Sequence, residues 1–458
     1  MASSRQQRIL KVSVMGIIED SLKMLEKYPL CDHCLGRQFG MLGYGLGNDE
    51  RGKSIKQVLT FEAHVSALSK KKKGIETLRV LATNGFSESA KEILRKMNKQ
   101  IRSKKLPTQC YLCEDKFAFV DELARKAVDL LKGYEYTNFL VGTELPLNVE
   151  EREDEFKAEF NLSHGENLRN EFGRSIGKKI AELNNKDVEF KKPEIVTLIN
   201  PFTKTLKLQI NPLFIAGRYK KLVRGIPQSK WFCSTCRGKG CEKCNWTGKM
   251  YPESVEELVE QPFLEAAKSE KAFFHASGRE DIDARMLGQG RPFVVEISKP
   301  RKRFLTLGKL EKTVNAHAKG KVKISKLRFA DKDTVRKLKK AESAQKEYRV
   351  SIEFEKKVTA KDLRLLENRL KNVTVKQETP NRVLHRRANL TREKYIYDVT
   401  IKKLSLKKAE MKIRCQGGLY VKELVSGDEG RTTPSVSELL KNKAKPIKLD
   451  VLNVIMKD

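Results

Sequence analysis

Apolar side chains recur at helical spacing through most of the first 145 residues. The clearest example runs from Leu123 to Leu131, with Asp121 as the predicted N-cap and Gly133 as the predicted end. The run from Ile9 to Ile18 is interrupted by a lysine and followed by two acids, which predicts an amphipathic helix and not a signal peptide. The N-terminal part of the chain is therefore expected to be mainly helical.

The apolar spacing changes near Glu155. Phe156 to Phe160 alternates apolar and polar residues and predicts a strand, whereas Asn167 to Leu183 and Ala360 to Leu370 keep a helical spacing. Further strands are predicted by short runs of β-branched, aromatic and other apolar residues: Ile195–Ile199, Leu206–Ile210, Phe293–Ile297, Tyr348–Phe354, Tyr395–Ile401 and Lys412–Cys415. This mixture predicts an α+β protein.

Composition narrows the class of protein. The 458 residues include 93 Lys and Arg against 59 Asp and Glu, which gives a formal charge of +34. Hydrophobic residues make up 39% of the chain, enough to form buried cores. No run approaches the ~18 consecutive apolar residues that a transmembrane helix needs. We therefore expect a cytoplasmic protein with no membrane partner.

The positive charge is spread over several clusters. Between Lys299 and Lys323 there are nine Lys or Arg and one acid, and a second cluster lies between Arg382 and Arg392. Smaller runs are Lys70 to Lys73 and Lys104–Lys105. A short run is often only a solvated face, but the total favours nucleic-acid phosphate as the partner, because its binding releases counterions. A basic amphipathic helix of the kind that binds membrane surfaces is not evident.

Eight of the nine cysteines form four Cys-x-x-Cys pairs, which in an intracellular protein favour zinc over disulfides. Cys233, Cys236, Cys241 and Cys244 lie within twelve residues and predict a local zinc knuckle. The pairs Cys31/Cys34 and Cys110/Cys113 are far apart in sequence, so other combinations stay open. Four protein ligands leave no open position on a zinc ion, so one or two structural sites are expected. Cys415 is unpaired.

The segment Gly47 to Ser54 matches the phosphate-loop pattern letter for letter. A working phosphate loop follows a buried strand, but the residues before Gly47 include two further glycines. Asp49 and Glu50 would also lie where backbone amides must face anionic phosphates. We interpret this segment as the start of a helix beside a zinc site.

Two glycines bracket a charged segment that runs from Gly278 to Gly288 and contains Asp281 and Asp283. Composition alone favours a surface turn with internal ion pairs. A glycosidase-like acid/base pair is a weaker interpretation, because residues i and i+2 of one strand cannot flank a bond from opposite sides.

Gly278-Arg-Glu-Asp281 resembles the Gly-Arg-Thr-Asp signature of pseudouridine synthases of the TruA type. Lys346-Glu-Tyr348 resembles the Lys-x-Tyr strand of that superfamily, and the segment from Gly418 to Leu424 resembles the Gly-Thr-Tyr-Ile-Arg-x-Leu strand of the TruB type, with Lys422 at the arginine position. The cysteine pairs, the Gly45–Gly52 segment and Asn211–Tyr219 are similar to the THUMP-containing Pus-ten family of tRNA pseudouridine synthases. The resemblance covers most of the chain.

The resemblance implies a fold and a division into domains. Residues 1–145 are expected to be a zinc-stapled helical part of an accessory region, and residues 146–225 a THUMP-like α/β RNA-binding domain. Residues 226–250 would form the zinc knuckle. Residues 251–458 would form a pseudouridine synthase domain whose mixed, mostly antiparallel central sheet is flanked by helices and loops.

The resemblance also implies roles for individual residues. Asp281 is the expected catalyst, acting on uridines 54 and 55 of the tRNA T loop (tRNA numbering) without an organic cofactor. Tyr348 would stack on the target base and Val421 would pack on its other side, while Lys422 or Arg279 would keep Asp281 ionised. Phosphate contacts are expected from Arg301, Lys302, Arg303, Arg382, Arg386, Arg387 and Arg392. We expect a monomer whose partner is tRNA.

Several alternatives stay open. Asp281 would either attack C1′ of the ribose or remove the C2′ proton, and Asp283 would be the catalyst if the turn is registered differently. A non-catalytic, basic tRNA-binding adaptor is the main competing function. Thiolation or methylation of tRNA is less favoured, because no methyl-donor glycine motif is evident and Cys415 has no obvious activating partner.

Overall fold

This computed structural model describes residues 14–101, 107–340 and 344–455, which separate into a unit before Asn211 and a second unit from Asn211 onward. The first unit contains helices and a four-stranded sheet in the order β2-β1-β3-β4. Its helices are α1 (Val14–Lys27), α2 (Asp32–Gly36), α3 (Asn48–Leu68), α4 (Lys72–Thr83), α5 (Glu88–Lys96), α6 (Val120–Leu131), α7 (Leu147–Glu159) and α8 (Leu168–Asn184). Its strands are β1 (Asn138–Thr143), β2 (Asp187–Val188), β3 (Ile195–Asn200) and β4 (Thr205–Ile210).

The first unit confirms most of the predicted helices and corrects two details. Phe156 and Phe160, which the alternating pattern placed in a strand, belong to α7 and its C-cap. The same i, i+4 spacing suits a helix, and both rings pack around Tyr28. Asp121 lies in the first turn of α6, one residue beyond its start, and Phe119 is the N-cap. Of the predicted helix from Ile9 to Ile18, only the part from Val14 lies in the described residues, as the start of α1. Lys104–Lys105 also lie outside the described residues.

A ten-stranded sheet forms the centre of the second unit, in the order β13-β10-β11-β12-β9-β14-β7-β5-β8, with β6 paired to β7. The strands are β5 (Leu213–Lys221), β6 (Lys271–Ala276), β7 (Arg285–Ser298), β8 (Val322–Ala330), β9 (Gln345–Phe354), β10 (Val373–Gln377), β11 (Arg392–Lys403), β12 (Lys408–Gln416), β13 (Thr432–Thr433) and β14 (Ala444–Ile455). The helices are α9 (Val255–Ala267), α10 (Leu307–His317), α11 (Lys332–Lys340), α12 (Ala360–Leu370), α13 (Val421–Ser426) and α14 (Val436–Leu440). All pairings are antiparallel except β14 with β7, so the predicted mixed, mostly antiparallel sheet is confirmed.

Two large hydrophobic cores and a small cluster of Ala216, Val294, Val335 and Leu338 lie against this sheet. One is centred on β9, β12 and α12, and the other on β5, β7, α9 and α10. Tyr348 packs against both cores. Strand β14 lies between β9 and β7 and therefore joins the two halves of the sheet.

The division of the chain differs from the predicted boundary at residue 225. Strand β5 was assigned by sequence to the THUMP-like segment, but it pairs with β7 and β8 in the sheet of the second unit. Its side chains at Ile215, Ala216, Tyr219 and Lys221 are buried in that sheet, which explains why the chain divides after Ile210. The cysteine-rich segment near 231–250 also belongs to the second unit.

Candidate active site

A cavity of about 530 Å³ opens beside the loop that precedes β7 and the start of α13. Asp281, Tyr348, Val421 and Lys422 line it together with Arg279, so residues from the three sequence motifs lie around one cavity. Other lining residues are Gly278, Glu280, Ala284, Lys346, Arg382, Val383, Arg387, Arg392, Lys394, Leu449 and Val451. Basic side chains outnumber the acids Glu280 and Asp281 around the cavity, which suits a negatively charged ligand.

The residue before Asp281 anchors the loop from inside the protein. Glu280 is buried and accepts hydrogen bonds from the Tyr219 hydroxyl at 2.9 and 3.1 Å and from Arg291 Nε at 2.9 Å. Gln228 Nε2 donates to the same hydroxyl at 2.6 Å and to the carbonyl of Gly278 at 3.0 Å. A buried ion pair with all of these partners satisfied fixes the backbone on one side of Asp281.

A buried lysine holds the other side of the loop. Lys221 Nζ donates to the carbonyls of Asp281 at 3.0 Å, Ile282 at 3.1 Å and Ile226 at 2.9 Å. Burial lowers the pKa of Lys221, although nearby acids oppose this effect. The three carbonyl acceptors give the ammonium a full set of partners. The backbone of Asp281 is thus held while its carboxylate faces the cavity.

Two cations flank the carboxylate of Asp281. Lys422 Nζ lies 3.2 Å and Arg382 Nη2 lies 3.4 Å from Oδ2, and the side chain is 35% exposed. Burial on its own would raise the pKa of Asp281, but the charges of Arg382 and Lys422 outweigh it and leave the pKa below its ordinary value. Asp281 is therefore ionised at neutral pH and accessible from the cavity.

Each of these cations is shared with a second carboxylate. Lys422 Nζ lies 2.8 Å from both oxygens of Asp283, and Arg382 Nε donates to Glu423 at 2.6 Å. Glu423 is buried, whereas the Asp283 side chain is 68% exposed. The cluster of three acids and two cations carries a formal charge of −1. If Asp281 loses its charge, the remaining four groups balance.

The structure corrects part of the sequence-based assignment around Asp281. Lys422 was expected on a strand, but Tyr420 is an N-cap and Lys422 lies in the first turn of α13. Arg279 was the other expected cation; it is exposed and its guanidinium lies 5.3 Å from the centre of the Trp231 ring. Arg382, expected to contact phosphate, instead pairs with Asp281 and Glu423.

Tyr348 and Val421 supply the apolar part of the cavity. Tyr348 is half-buried on β9, and burial raises the pKa of its phenol, so the ring is neutral at physiological pH. Val421 is 3% exposed at the start of α13. A neutral aromatic ring beside a branched aliphatic side chain suits a flat base.

The residues predicted to bind phosphate do not all lie at the cavity. Arg387 lines the cavity and donates to the Tyr420 hydroxyl at 3.2 Å, and Arg392 lines it while bonded to the Thr379 hydroxyl at 3.1 Å. Arg301 and Lys302 are exposed elsewhere. Arg303 does not fit the prediction, because it is buried and bonded to the carbonyl of Asn211. The side chain of Arg386 lies outside the described residues.

A second carboxylate, that of Asp450 on β14, accepts hydrogen bonds from three arginines. Arg285 donates to it at 3.0 and 2.9 Å, Arg349 at 3.1 Å and Arg224 at 2.5 Å. Burial alone would raise the pKa of Asp450, but the bonds from Arg285 and Arg349 lower it to about 2. Arg285 and Arg349 are its cross-strand neighbours on β7 and β9, so this cluster ties the two halves of the sheet together.

None of the nine cysteines forms a disulfide, and eight of them form two clusters. Cys31, Cys34, Cys110 and Cys113 form one, and Cys233, Cys236, Cys241 and Cys244 form the other, with all Sγ atoms of a cluster within 4.8 Å. Individual Sγ–Sγ distances are 3.5 Å for Cys31–Cys113 and 3.8 Å for Cys233–Cys241 and Cys236–Cys244. Zinc–sulfur bonds of about 2.3 Å in a tetrahedron require about 3.8 Å, so the donor sets fit a metal ion.

The residues that anchor the site were not identified from the sequence. Tyr219 and Lys221 lie about 60 residues before Glu280 and Arg291, and no spacing in the sequence links the two pairs. Glu423 directly follows Lys422 in the third motif, but its burial and its pairing with Arg382 are visible only in the structure. The phosphate-loop match is confirmed as a helix start, since α3 begins at Asn48 and Lys56 bonds to Asp32 near the first cysteine cluster.

Comparison with known proteins gives consistent results for both units. A family model described as Pus10, C-terminal matches residues 214–455, and one described as Pus10 THUMP domain, archaeal matches residues 123–200. The chain is 43% identical to the tRNA pseudouridine synthase Pus10 of Methanocaldococcus jannaschii, over 99% of this chain and 98% of that protein. It is 41% identical to the protein of the same name from Methanothrix thermoacetophila, over 96% of this chain and 94% of that protein.

A solved Cbf5-Nop10-Gar1 complex also matches 44% of this chain and 46% of that chain. The sequence identity is 14% and the TM-score 0.29, which is too low to carry weight.

Proposed function

The chain belongs to the Pus10 family of tRNA pseudouridine synthases, and on that premise we propose that Asp281 is the carboxylate with which it converts uridine to pseudouridine in tRNA. The observation that carries the assignment is the position of Asp281. It lies in the cavity between Lys422 and Arg382, beside Tyr348 and Val421. We propose uridines 54 and 55 of the T loop as the targets, as the family resemblance implies.

The geometry supports a simple division of labour. The reaction breaks the N1–C1′ bond of uridine and joins C5 to C1′, and the proton on C5 moves to N1, so no atom is gained or lost. The target base leaves its stack and lies between Tyr348 and Val421. The ribose then faces Asp281, which is ionised because of its two cations.

Both chemical routes through Asp281 pass through a state in which its side chain is neutral. Attack on C1′ forms an ester as the N1–C1′ bond breaks, and removal of the C2′ proton with loss of the base gives a carboxylic acid. In each case the uracil leaves as an anion that carries the negative charge, and Asp281 becomes a carboxylate again when C5 joins C1′. In either case Lys422 and Arg382 lose one of their anionic partners. Asp283 and Glu423 then balance the two cations, which lowers the electrostatic cost of the step.

We propose that the first unit, which contains the THUMP match, contributes to tRNA binding, and that both cysteine clusters hold zinc. Four thiolates leave no open coordination position, so these ions would stabilise structure and take no part in the isomerisation. Metal analysis of the purified protein should give two zinc ions per chain. A value of one or less would reject at least one cluster as a zinc site.

The proposed reaction is tested with an unmodified tRNA transcript. Pseudouridine is mapped by carbodiimide labelling and primer extension after incubation with wild type, Asp281→Asn or Asp283→Asn. Wild type should modify positions 54 and 55, Asp281→Asn neither, and Asp283→Asn both. Asp283→Asn is the matched control, because Asp283 shares Lys422 with Asp281 but is more exposed. Equal product from wild type and Asp281→Asn would reject Asp281 as the catalyst.

A further inference from the structure

The cysteine-rich segment between Lys230 and Met250 is a small, closed element of the second unit. Phe232 and Lys249 form an antiparallel bridge, and the amide of Cys233 donates to the carbonyl of Gly248 at 2.8 Å. The amide of Met250 donates to the carbonyl of Trp231 at 2.9 Å. The segment therefore leaves and rejoins the rest of the chain at adjacent points, with the cysteine cluster at its centre.

Two large aromatic rings lie on the outside of this element. Phe232 is 55% exposed and Trp246 is 73% exposed in the chain as a whole. The Phe232 ring lies over Gly238, and a Cβ atom added at Gly238 would lie 2.8 Å from that ring. The Trp246 ring lies over Gly240, and a Cβ atom added there would lie 3.5 Å from the ring. Both glycines have φ above +90°, at +98° and +93°. The turn that joins the two cysteine pairs thus supports both rings while leaving them open to solvent.

The charge around the rings is positive. Arg237, Lys239 and Lys243 are exposed and have no recorded ion-pair partner among the described residues. Glu242 is the one acid between Lys230 and Met250 in the sequence. Four thiolates around one zinc ion would add a charge of −2, so the element stays net positive. Exposed aromatic rings among basic side chains are typical of surfaces that bind unpaired nucleotides.

This element is in direct contact with the catalytic loop. The guanidinium of Arg279 lies 5.3 Å from the centre of the Trp231 ring, and Arg279 also lines the cavity that contains Asp281. Trp231 directly precedes Phe232. The element that carries the two rings therefore adjoins the loop that forms one side of the cavity.

We propose that Phe232, Trp246 and the turn from Arg237 to Gly240, here called the knuckle platform, bind unpaired nucleotides of the tRNA by stacking. The proposal rests on the proposed function, because it assigns a second RNA contact to the same enzyme. Stacking of one base on one ring holds the strand, and Arg237 and Lys239 bind the adjacent phosphates. Every base has a flat face that can stack on an aromatic ring, so the platform binds unpaired nucleotides without reading their sequence.

The test measures binding of unmodified tRNA transcript to the full chain in an Asp281→Asn background, so that no turnover occurs. Trp246→Ala and Phe232→Ala should each raise Kd about 5- to 150-fold, the range for loss of one base–aromatic stack. Trp246→Phe, which keeps a ring, should stay within about threefold. The matched control is Phe273→Ala, because Phe273 is also an exposed phenylalanine. In both cases the ammonium of the lysine two residues earlier lies over the ring, 4.8 Å from the ring centre for Phe273 and 5.1 Å for Phe232. The Kd of Phe273→Ala should not change.

Tryptophan fluorescence gives an independent readout, since Trp231 and Trp246 are the two tryptophans of the chain. In Trp231→Phe, saturating tRNA should quench the emission of Trp246. If Phe232→Ala or Trp246→Ala unfolds the element, which a loss of zinc would show, the double variant Arg237→Gln/Lys239→Gln is measured instead. That variant should lower the slope of log Kd against log salt by about 1.4, or 0.7 per phosphate contact.

Three results would overturn the proposal. They are unchanged tRNA affinity in the ring variants, an unquenched Trp246, and a changed self-association of the protein with unchanged tRNA affinity. If wild type still forms pseudouridine in those cases, the proposed function stands and only the platform is rejected. Failure of wild type to form pseudouridine would instead reject the proposed function.

Discussion

Two carboxylates of the second unit are surrounded by cations in different ways. Asp281 pairs with Lys422 and Arg382, and each of these cations also binds another acid. Asp450 receives hydrogen bonds from Arg224, Arg285 and Arg349. The Asp281 side chain is 35% exposed in a cavity, whereas that of Asp450 is 6% exposed within the sheet.

The difference separates an arrangement of ion pairs that suits the proposed chemistry from one that suits a structural role. Every oxygen of Asp450 is occupied by a guanidinium, so this carboxylate is held and shielded. Asp281 contacts its two cations through one oxygen, Oδ2. Each of these cations also pairs with a second carboxylate, which balances its positive charge when Asp281 is neutral. A depressed pKa alone does not distinguish the two, since both carboxylates have one.

The strongest test exchanges each carboxylate for its amide. Asp281→Asn should lower the single-turnover rate of pseudouridine formation at least about 10³-fold, because the amide neither attacks C1′ nor accepts a proton. Asp450→Asn, assayed below its unfolding temperature, should stay within about threefold of wild type. Similar losses in both variants would show that Asp450 also takes part in the reaction.

The next effect concerns the base-stacking wall beside Asp281. Tyr348→Leu should lower kcat by roughly 100-fold, which corresponds to loss of one base–aromatic stack, while Kd for tRNA changes less than about threefold. Tyr348→Phe keeps the ring and is the matched control, with most of the activity expected to remain. An equal rise in Kd and fall in kcat for Tyr348→Leu would assign the ring to tRNA binding in general.

Asp450 should contribute to stability in a pH-dependent way. Its folded pKa of about 2 lies below the ordinary value of about 3.9, so the contribution is present above pH ~4 and disappears as the pH falls through 2. Asp450→Asn should therefore lower the free energy of unfolding by about 2 kcal/mol at pH 7. Urea unfolding followed by tryptophan fluorescence reports on this unit, because both tryptophans lie in it.

The same unfolding measurement repeated near pH 2 provides the control, since wild type and Asp450→Asn should then have similar stability. A difference that is independent of pH would contradict an electrostatic origin.

The smallest effect concerns the cation nearest to Asp281. Lys422→Met removes a charge 3.2 Å from the carboxylate and should raise the pKa of Asp281. Activity requires the ionised form, so it is lost as the pH falls through that pKa, and the acid limb of kcat/KM should move upward by about one pH unit. At pH 7, well above that limb, Asp281 is still ionised in the variant, so the activity should change by less than about threefold. Lys412→Met, an exposed position on β12, serves as the control. An acid limb that stays in place would show that Lys422 does not set this pKa.

Local sequence signals predicted most elements and the two cysteine clusters. The helix from Ala360 to Leu370 and the strand runs of the second unit are confirmed, because their apolar spacing reflects burial on one face. The strand predicted at Phe156–Phe160 is wrong, since a spacing of four suits both a helix and alternation. Strand β5 was assigned to the wrong unit because a strand's sequence does not show which sheet it joins.

The site was predictable only in part. Motifs identified Asp281, Tyr348 and Lys422, and the cavity brings them together. The buried partners of the loop, Glu280 with Arg291 and Tyr219, could not be predicted, because their contacts join residues from separate strands. Arg382 was assigned to phosphate because a basic cluster gives no indication of which arginine faces an acid.

The order of strands has a consequence for how the protein matures. Strand β14 is inserted between β7 and β9, so the half of the sheet that carries Asp281 and the half that carries Tyr348 and Lys422 join through the last described strand. A ribosome releases the chain from its N-terminus, and the cleft of the proposed site therefore stays split until residues 444–455 have emerged. A premature stop codon between Lys422 and Ala444 should leave a polypeptide that holds Asp281, Tyr348 and Lys422 but has no assembled cleft.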